Sequence, residues 1–299
     1  MGIKTTIAKI IKIIKEWGMM FLSIISFVWL WNEKKEEGTI NLTYWFYFLG
    51  IGVLICTIIT IWYNWPKKKC ISSFSPGKGC KKIKIIIQKG SVLKQKGTKV
   101  IHVLDTFETS IDKCEEKSLL YSFLTLNDVD KNELDKSISE SLKDNGYTPR
   151  RISSPLFEQL RAAKMKTMQY EIGSVAKYKK DFLLVAFSNM KDDKGNPDEK
   201  DYTQYIDSVD KVFNGLQKNH KGNVANHTYN LGVWGFQYNK GLFETRIRIL
   251  IMLKTFIKIS QIKPFCETLR ICLHGKHAEE IDFNEMQVLL DYFIETKDL

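Results

Sequence analysis

Three kinds of hydrophobic pattern follow one another along the chain. Residues 17–31 and 42–66 carry no charged side chain and are almost unbroken apolar runs. From residue 83 onward the runs shorten to strand length and alternate with stretches whose apolar positions recur every three or four residues. Period and length predict strands at 83–88, 99–104, 173–178, 182–187, 227–233 and 267–273. They predict helices at 130–143, 154–168, 201–219, 242–260 and 283–296, the last opened by Asp282 ahead of Phe283. Several strands are continuous Ile, Leu and Val, as in Ile85-Ile86-Ile87, which implies a sheet covered on both faces. The expected fold class is therefore α/β, a three-layer α/β/α domain.

The two long runs read as a transmembrane hairpin. The second, of about 24 residues at 1.5 Å each, covers roughly 36 Å, enough for a hydrocarbon core of about 30 Å. The first is shorter and borrows Ile10, Ile11, Ile13 and Ile14, with Lys12 and Lys15 reaching back to the headgroups. Ile3, Ile7, Ile10 and Ile14 recur at helical spacing, as in an interfacial helix. Trp17, Trp29 and Trp31 flank the first run, and Tyr44, Trp45, Trp62, Tyr63 and Trp65 flank the second, as aromatic belts do. A signal peptide is disfavoured by the lack of a small-residue cleavage site in Trp29-Leu30-Trp31-Asn32-Glu33.

Charge refines this picture. Of the net +11, residues 1–16 hold +3, residues 33–41 hold −1 and residues 67–82 hold +6, which leaves +3 for 83–299. Basicity at the membrane flanks puts both termini in the cytoplasm by the positive-inside rule, and it argues against a nucleic-acid-binding body. The expected organisation is an anchor at 1–66, a flexible basic linker at 67–82 lying against an anionic leaflet, and a folded domain at 83–299. The six cysteines include no Cys-x-x-Cys pair, which disfavours a disulfide framework. Cys272, His274 and His277 form a loose possible zinc group without a second ligand pair, so no metal is expected.

Candidate chemistry collects where strands end. Val100–Leu104 is an apolar run that stops at Asp105, Thr106 and Phe107, with Thr109 close behind. Ligands of open α/β sheets sit beyond the carboxyl ends of strands, so these residues fall where a small-molecule pocket forms. Gly90 and Ser91 follow the opening strand, and Gly232, Trp234, Gly235, Phe236 and Asn239 lie in a glycine-rich stretch before the 242–260 helix. Glycines let backbone approach a phosphate, and a helix start supplies free N–H donors. Asp105 would face like-charge repulsion beside phosphate, so it suits ribose hydroxyls, an exocyclic amine or an imidazole; capping the next turn is its structural alternative. Phe107 and Trp234 read either as stacking platforms or as core.

Lys99–Thr109, together with Ile85–Ser91, Tyr170–Ala176, Phe182–Ser188 and Gly232–Gly241, resembles in order and spacing the macro-like domain of type II Thoeris antiphage effectors, which also place two membrane helices first. The resemblance implies a mixed-sheet macro-like fold. It also implies a signal made from NAD by a partner TIR-domain protein, an ADP-ribose conjugate with histidine suspected. On capturing it, a bacterial inner-membrane effector assembles as a homo-oligomer and disrupts the bilayer in abortive infection. Hydrolytic macro domains pair an Asn at the strand end with a glycine-rich loop, whereas Leu104-Asp105-Thr106-Phe107 has no glycine. Binding without turnover is thus expected, with no cofactor and no catalytic residue. The alternatives are a membrane-tethered ADP-ribosyl or nucleotide hydrolase and a protein-binding scaffold.

Overall fold

The computed structural model describes residues 69–77, 80–116, 118–127, 129–220, 224, 227–235 and 244–295, all within a unit spanning Lys67–Leu299. The expected membrane segments and interfacial helix lie outside the described residues, as do Phe236 and Asn239. Among the described residues no helix is long and apolar enough to cross a membrane.

A seven-stranded mixed sheet forms the centre. In chain order its strands are β1 (Lys69–Phe74), β2 (Ile83–Lys89), β3 (Thr98–Leu104), β6 (Val175–Tyr178), β7 (Phe182–Ser188), β8 (Thr228–Gly232) and β9 (Thr268–Leu273); a separate two-residue pair joins β4 (Arg150–Arg151) to β5 (Met168–Gln169). The order across the sheet is β1-β2-β9-β8-β3-β7-β6. The five inner strands are parallel, and β1 and β6 are antiparallel edges. The helices are α1 (Leu119–Leu126), α2 (Lys131–Asp144), α3 (Leu156–Ala162), α4 (Tyr202–Asn219), α5 (Thr245–Ile262), α6 (Lys276–Glu280) and α7 (Phe283–Glu295).

Alternation along the strands sends side chains to two different cores. Val100, Val185, Leu231, Ile271 and Ile85 pack with α4, α5 and α7 on one face. Ile101, Val103, Leu184 and Ala186 pack with α1 and α2 on the other. Side chains close both sheet edges, which removes the usual template for unwanted strand pairing. On β1, Gln287 accepts from the Ile71 N–H at 2.9 Å and donates to its carbonyl at 3.1 Å. On β6, the Lys177 N–H donates to Ser141 at 2.8 Å, while Ser137 donates to the Lys177 carbonyl at 3.2 Å.

Helix starts follow their local chemistry. Asp201 and Gln204 form a reciprocal capping box at α4, and the Asp282 carboxylate accepts from the Asn284 and Glu285 N–H groups at 2.9 and 3.4 Å. Two expectations need correction. Residues 69–74, read as part of a flexible linker, form the edge strand β1, because Cys70 and Phe74 are buried against the α7 side of the sheet. The helix read at 154–168 stops at Ala162; Lys164 takes φ 55°, and Lys166 is drawn away to the loop after β3. Among the described residues the α1–α2 layer packs on β3, β7 and β6, and Ile86 joins none of the apolar clusters although it is only 7% exposed.

Candidate ligand site at the switch point

Strand β3 leads into the α1–α2 layer on one face, and its neighbour β8 leads into α5 on the other. Adjacent parallel strands thus feed helices on opposite faces, the arrangement beyond whose carboxyl ends open α/β sheets bind ligands. Asp105 and Thr106 sit on one side of this switch point and Val233–Gly235 on the other. Gly90 follows the carboxyl end of β2 at the same edge of the sheet.

Asp105 is 2% exposed. Its main chain continues the ladder, the N–H donating to the Ser188 carbonyl at 2.8 Å and the carbonyl accepting from Tyr170 at 2.9 Å. Its carboxylate accepts from the Met190 N–H at 2.9 Å. Burial pushes its pKa up to about 6; the Met190 and Thr106 hydrogen bonds and the Lys200 charge oppose the rise, and the Asp198 charge adds to it. The neighbouring Thr106 hydroxyl is buried and has no hydrogen-bond partner among the described residues. Unsatisfied buried hydroxyls are uncommon, and a group held so at a strand end is one a ligand can satisfy.

Lys200 adds a cation that the sequence did not single out. It is buried, its Nζ lies 5.2 Å from the centre of the Phe187 ring, and it donates to Ser208. Burial brings its pKa down to about 8, against the pull of Asp207, Asp105 and Asp198. Nothing in the local pattern marks it, because it precedes α4 in a polar turn and meets the Phe187 ring and feels the Asp105 charge only through the tertiary fold.

Beyond Phe107 the loop is fixed by a polar network. Glu108 Oε1 accepts from the N–H groups of Thr109 and Ser110 at 3.1 and 3.0 Å and from the Ser110 hydroxyl at 2.6 Å; Oε2 accepts from the Lys166 N–H at 2.9 Å. Burial pushes the Glu108 pKa up, but these bonds and the Lys166 charge outweigh it and hold the carboxyl below its ordinary value. Lys166 Nζ in turn donates to the Phe107 carbonyl and to Asp135, both at 2.6 Å. Glu108, Asp135 and Lys166 escaped the sequence reading because 58 residues separate the bonded partners Glu108 and Lys166.

Several expected site residues have other employment. Phe107 takes φ 51° and is 1% exposed, its ring edge-on to Tyr170 at 5.6 Å. Trp234 is 1% exposed between Phe187 and Phe213, with centroids 5.7 and 5.1 Å away. Neither ring presents a face to a base, so the stacking role is replaced by core packing. The Thr109 hydroxyl donates to Asp135 at 2.6 Å and belongs to the loop network. The Gly90 N–H is spent on the Leu273 carbonyl at 2.9 Å, while Ser91 opens the 3-10 turn Val92–Lys94 without a side-chain cap bond. Gly232 ends β8 with room beside it, a Cβ there meeting only Val92 at 3.9 Å. Gly235 has φ 74°, and a Cβ on it would lie 3.0 Å from the Tyr205 ring, so only glycine fits. Among the described residues no group of His, Cys, Asp and Glu is placed to hold a metal ion; burial pushes the Cys272 thiol up to about 11.

The family comparison is decisive for kinship. Residues 85–274, well over half the chain, match the model described as "Thoeris protein ThsA, Macro domain". The chain belongs to the Thoeris ThsA macro-domain family. No curated protein matches it in sequence. Similar solved structures include a mutant macrodomain from Oceanobacillus iheyensis, 10% identical over 76% of this chain and 99% of that one, with a TM-score of 0.44. Another mutant of that macrodomain, solved with ADPR, is 9% identical over 74% of this chain and 100% of that one, with a TM-score of 0.39. The macro domain of ganglioside induced differentiation associated protein 2 is 9% identical over 71% and 84%, with a TM-score of 0.39.

Proposed function

We propose that this ThsA-family domain is a receptor for a nucleotide-derived signal, an ADP-ribose conjugate with a histidine group as the suspected appendage, and that it binds this signal without turning it over. The observation that carries the reading is the pairing of Asp105 and Thr106 at the β3–β8 switch point: a costly buried carboxyl beside an unsatisfied buried hydroxyl. Perturbed titratable groups in a crevice favour function over packing. Asp105 accepts from a ribose hydroxyl or an imidazole N–H, Thr106 supplies a further hydrogen bond, and the Lys200 charge offsets the anion that enters. Because Asp105 is almost fully covered, entry requires the 190–198 turn to lift and release the Met190 N–H.

The wider reading follows from the family and from the apolar runs at 17–31 and 42–66. A TIR-domain protein makes the signal, the runs anchor the chain in the bacterial inner membrane with both termini cytoplasmic, and occupied domains assemble as homo-oligomers that disrupt the bilayer and end the infection. Ligand drives assembly only to the extent that it binds the assembled state more tightly. Support for a receptor over a hydrolase is the glycine-free turn Leu104-Asp105-Thr106-Phe107, which leaves no flexible loop to position water. Incubating the full chain in detergent with ADP-ribose and with its histidine conjugate tests this. Stoichiometric binding with the nucleotide recovered intact is expected; steady release of a cleavage product would establish the hydrolase instead.

A further inference from the structure

The half-sheet on which the described residues place no second helical layer has a composition of its own. Register places Ile71, Ile86, Arg270 and Asn230 in one lateral row, Ser73, Lys84, Thr268 and Thr228 in the next, and Lys69, Gln88, Cys272 and Gly232 in the third. These twelve positions share the face opposite α4, α5 and α7; Ile86, Asn230 and Cys272 are buried there, and the segment up to Gly97 lies against it, Asn230 donating to the Lys96 carbonyl at 3.0 Å and Gln88 to Gln95 at 3.0 Å. No acidic and no aromatic residue stands among the twelve. Lys69, Ser73 and Lys84 are exposed, as are Lys94 and Lys96 on the adjoining turn. Ile71 is 38% exposed in their midst. Arg270, partly buried, donates to the Asn230 side-chain Oδ1 at 2.6 Å, and its buried Nε has no partner among the described residues.

We propose that this face rests on an anionic lipid surface. The proposal relies on the membrane-anchored reading above and adds to it a second, electrostatic contact made by the folded domain. A flat array of cations matches a flat layer of anionic headgroups, and juxtamembrane lysines are drawn to such a layer within a Debye length, about 8–10 Å. The exposed Ile71 side chain enters between headgroups where the lysines bring it close. Single-stranded nucleic acid is disfavoured because binding it uses aromatic platforms on which bases stack, and this face has none.

The test uses the full chain in nanodiscs whose lipids carry a diazirine on the headgroup, either zwitterionic throughout or about one-third anionic, with cross-linked peptides mapped by mass spectrometry. Cross-linking of the peptides holding β1 and β2 should rise at least threefold with anionic lipid and fall to the zwitterionic level in Lys69→Glu/Lys84→Glu, two exposed positions whose exchange leaves the core intact. Equal labelling in both lipids, or labelling concentrated on α7, would overturn the face assignment while the anchor stands. Failure of the chain to enter nanodiscs would refute the anchor itself. Loss of single-stranded DNA binding in the same double variant, with lipid labelling unchanged, would reassign the face to nucleic acid.

Discussion

Two buried carboxylates follow the same strand three residues apart, and the fold treats them in opposite ways. Glu108 is given four donors and a nearby ammonium, and its pKa falls below the ordinary value. Asp105 is given little beyond the Met190 and Thr106 amides, and its pKa rises to about 6. A carboxylate built for structure is saturated with donors. One left short of donors in a crevice is destabilising unless something else arrives to satisfy it. On the proposed reading, the contrast separates scaffold from site within one loop.

Removing the saturated member should cost most. Glu108→Ala strands three N–H groups and the Ser110 hydroxyl, so a loss of about 3–5 kcal/mol is expected. Chemical denaturation would read it as a lower midpoint, and a loss under about 1 kcal/mol would show that water replaces the carboxylate.

Asp105→Asn should act in the opposite direction. A carboxyl whose folded pKa is raised from 3.8 to about 6 favours folding most when protonated, and that advantage is lost as pH rises through about 6. At about 1.4 kcal/mol per pKa unit the penalty at neutral pH is about 3 kcal/mol. The amide keeps the acceptor for Met190, so the variant should match the parent near pH 4 and melt on the order of 5 °C higher near pH 7.5. Equal melting at both values would mean that Asp105 is better solvated than its burial indicates.

Smaller effects grade the rest of the loop. Thr109→Val removes one hydrogen bond to Asp135 and should cost about 1 kcal/mol, with ligand affinity unchanged; a large loss of affinity would return Thr109 to the site. Gln287→Ala bares the β1 edge at Ile71 and should cost less than about 1 kcal/mol while speeding amide exchange there.

Much of the sheet was legible because parallel inner strands must be continuously apolar. The runs at 83–88, 99–104 and 182–187 emerge as β2, β3 and β7 with ends shifted by at most a residue. Strand β1 was hidden because alternation of Cys70 and Phe74 with Lys69, Ile71 and Ser73 is diluted by neighbouring lysines, serines and glycines. The position of Asp105 at a strand end was also legible. The roles of its neighbours were not: whether Phe107 and Trp234 face a ligand or the core depends on Tyr170, Phe187 and Phe213, far away in sequence. Charge balance was equally non-local, because Lys200 and Lys166 arrive from other parts of the chain.

The central claim is that Asp105 is held at a cost in order to meet a ligand. Calorimetric titration of the full chain with the histidine conjugate of ADP-ribose, parent against Asp105→Asn at pH 7.5, tests it most directly. At least tenfold weaker binding by the variant is expected in spite of its higher melting temperature, as loss of a hydrogen bond to a charged acceptor implies. Unchanged affinity in a more stable protein would contradict it and leave Asp105 as an anchor for the turn at Met190.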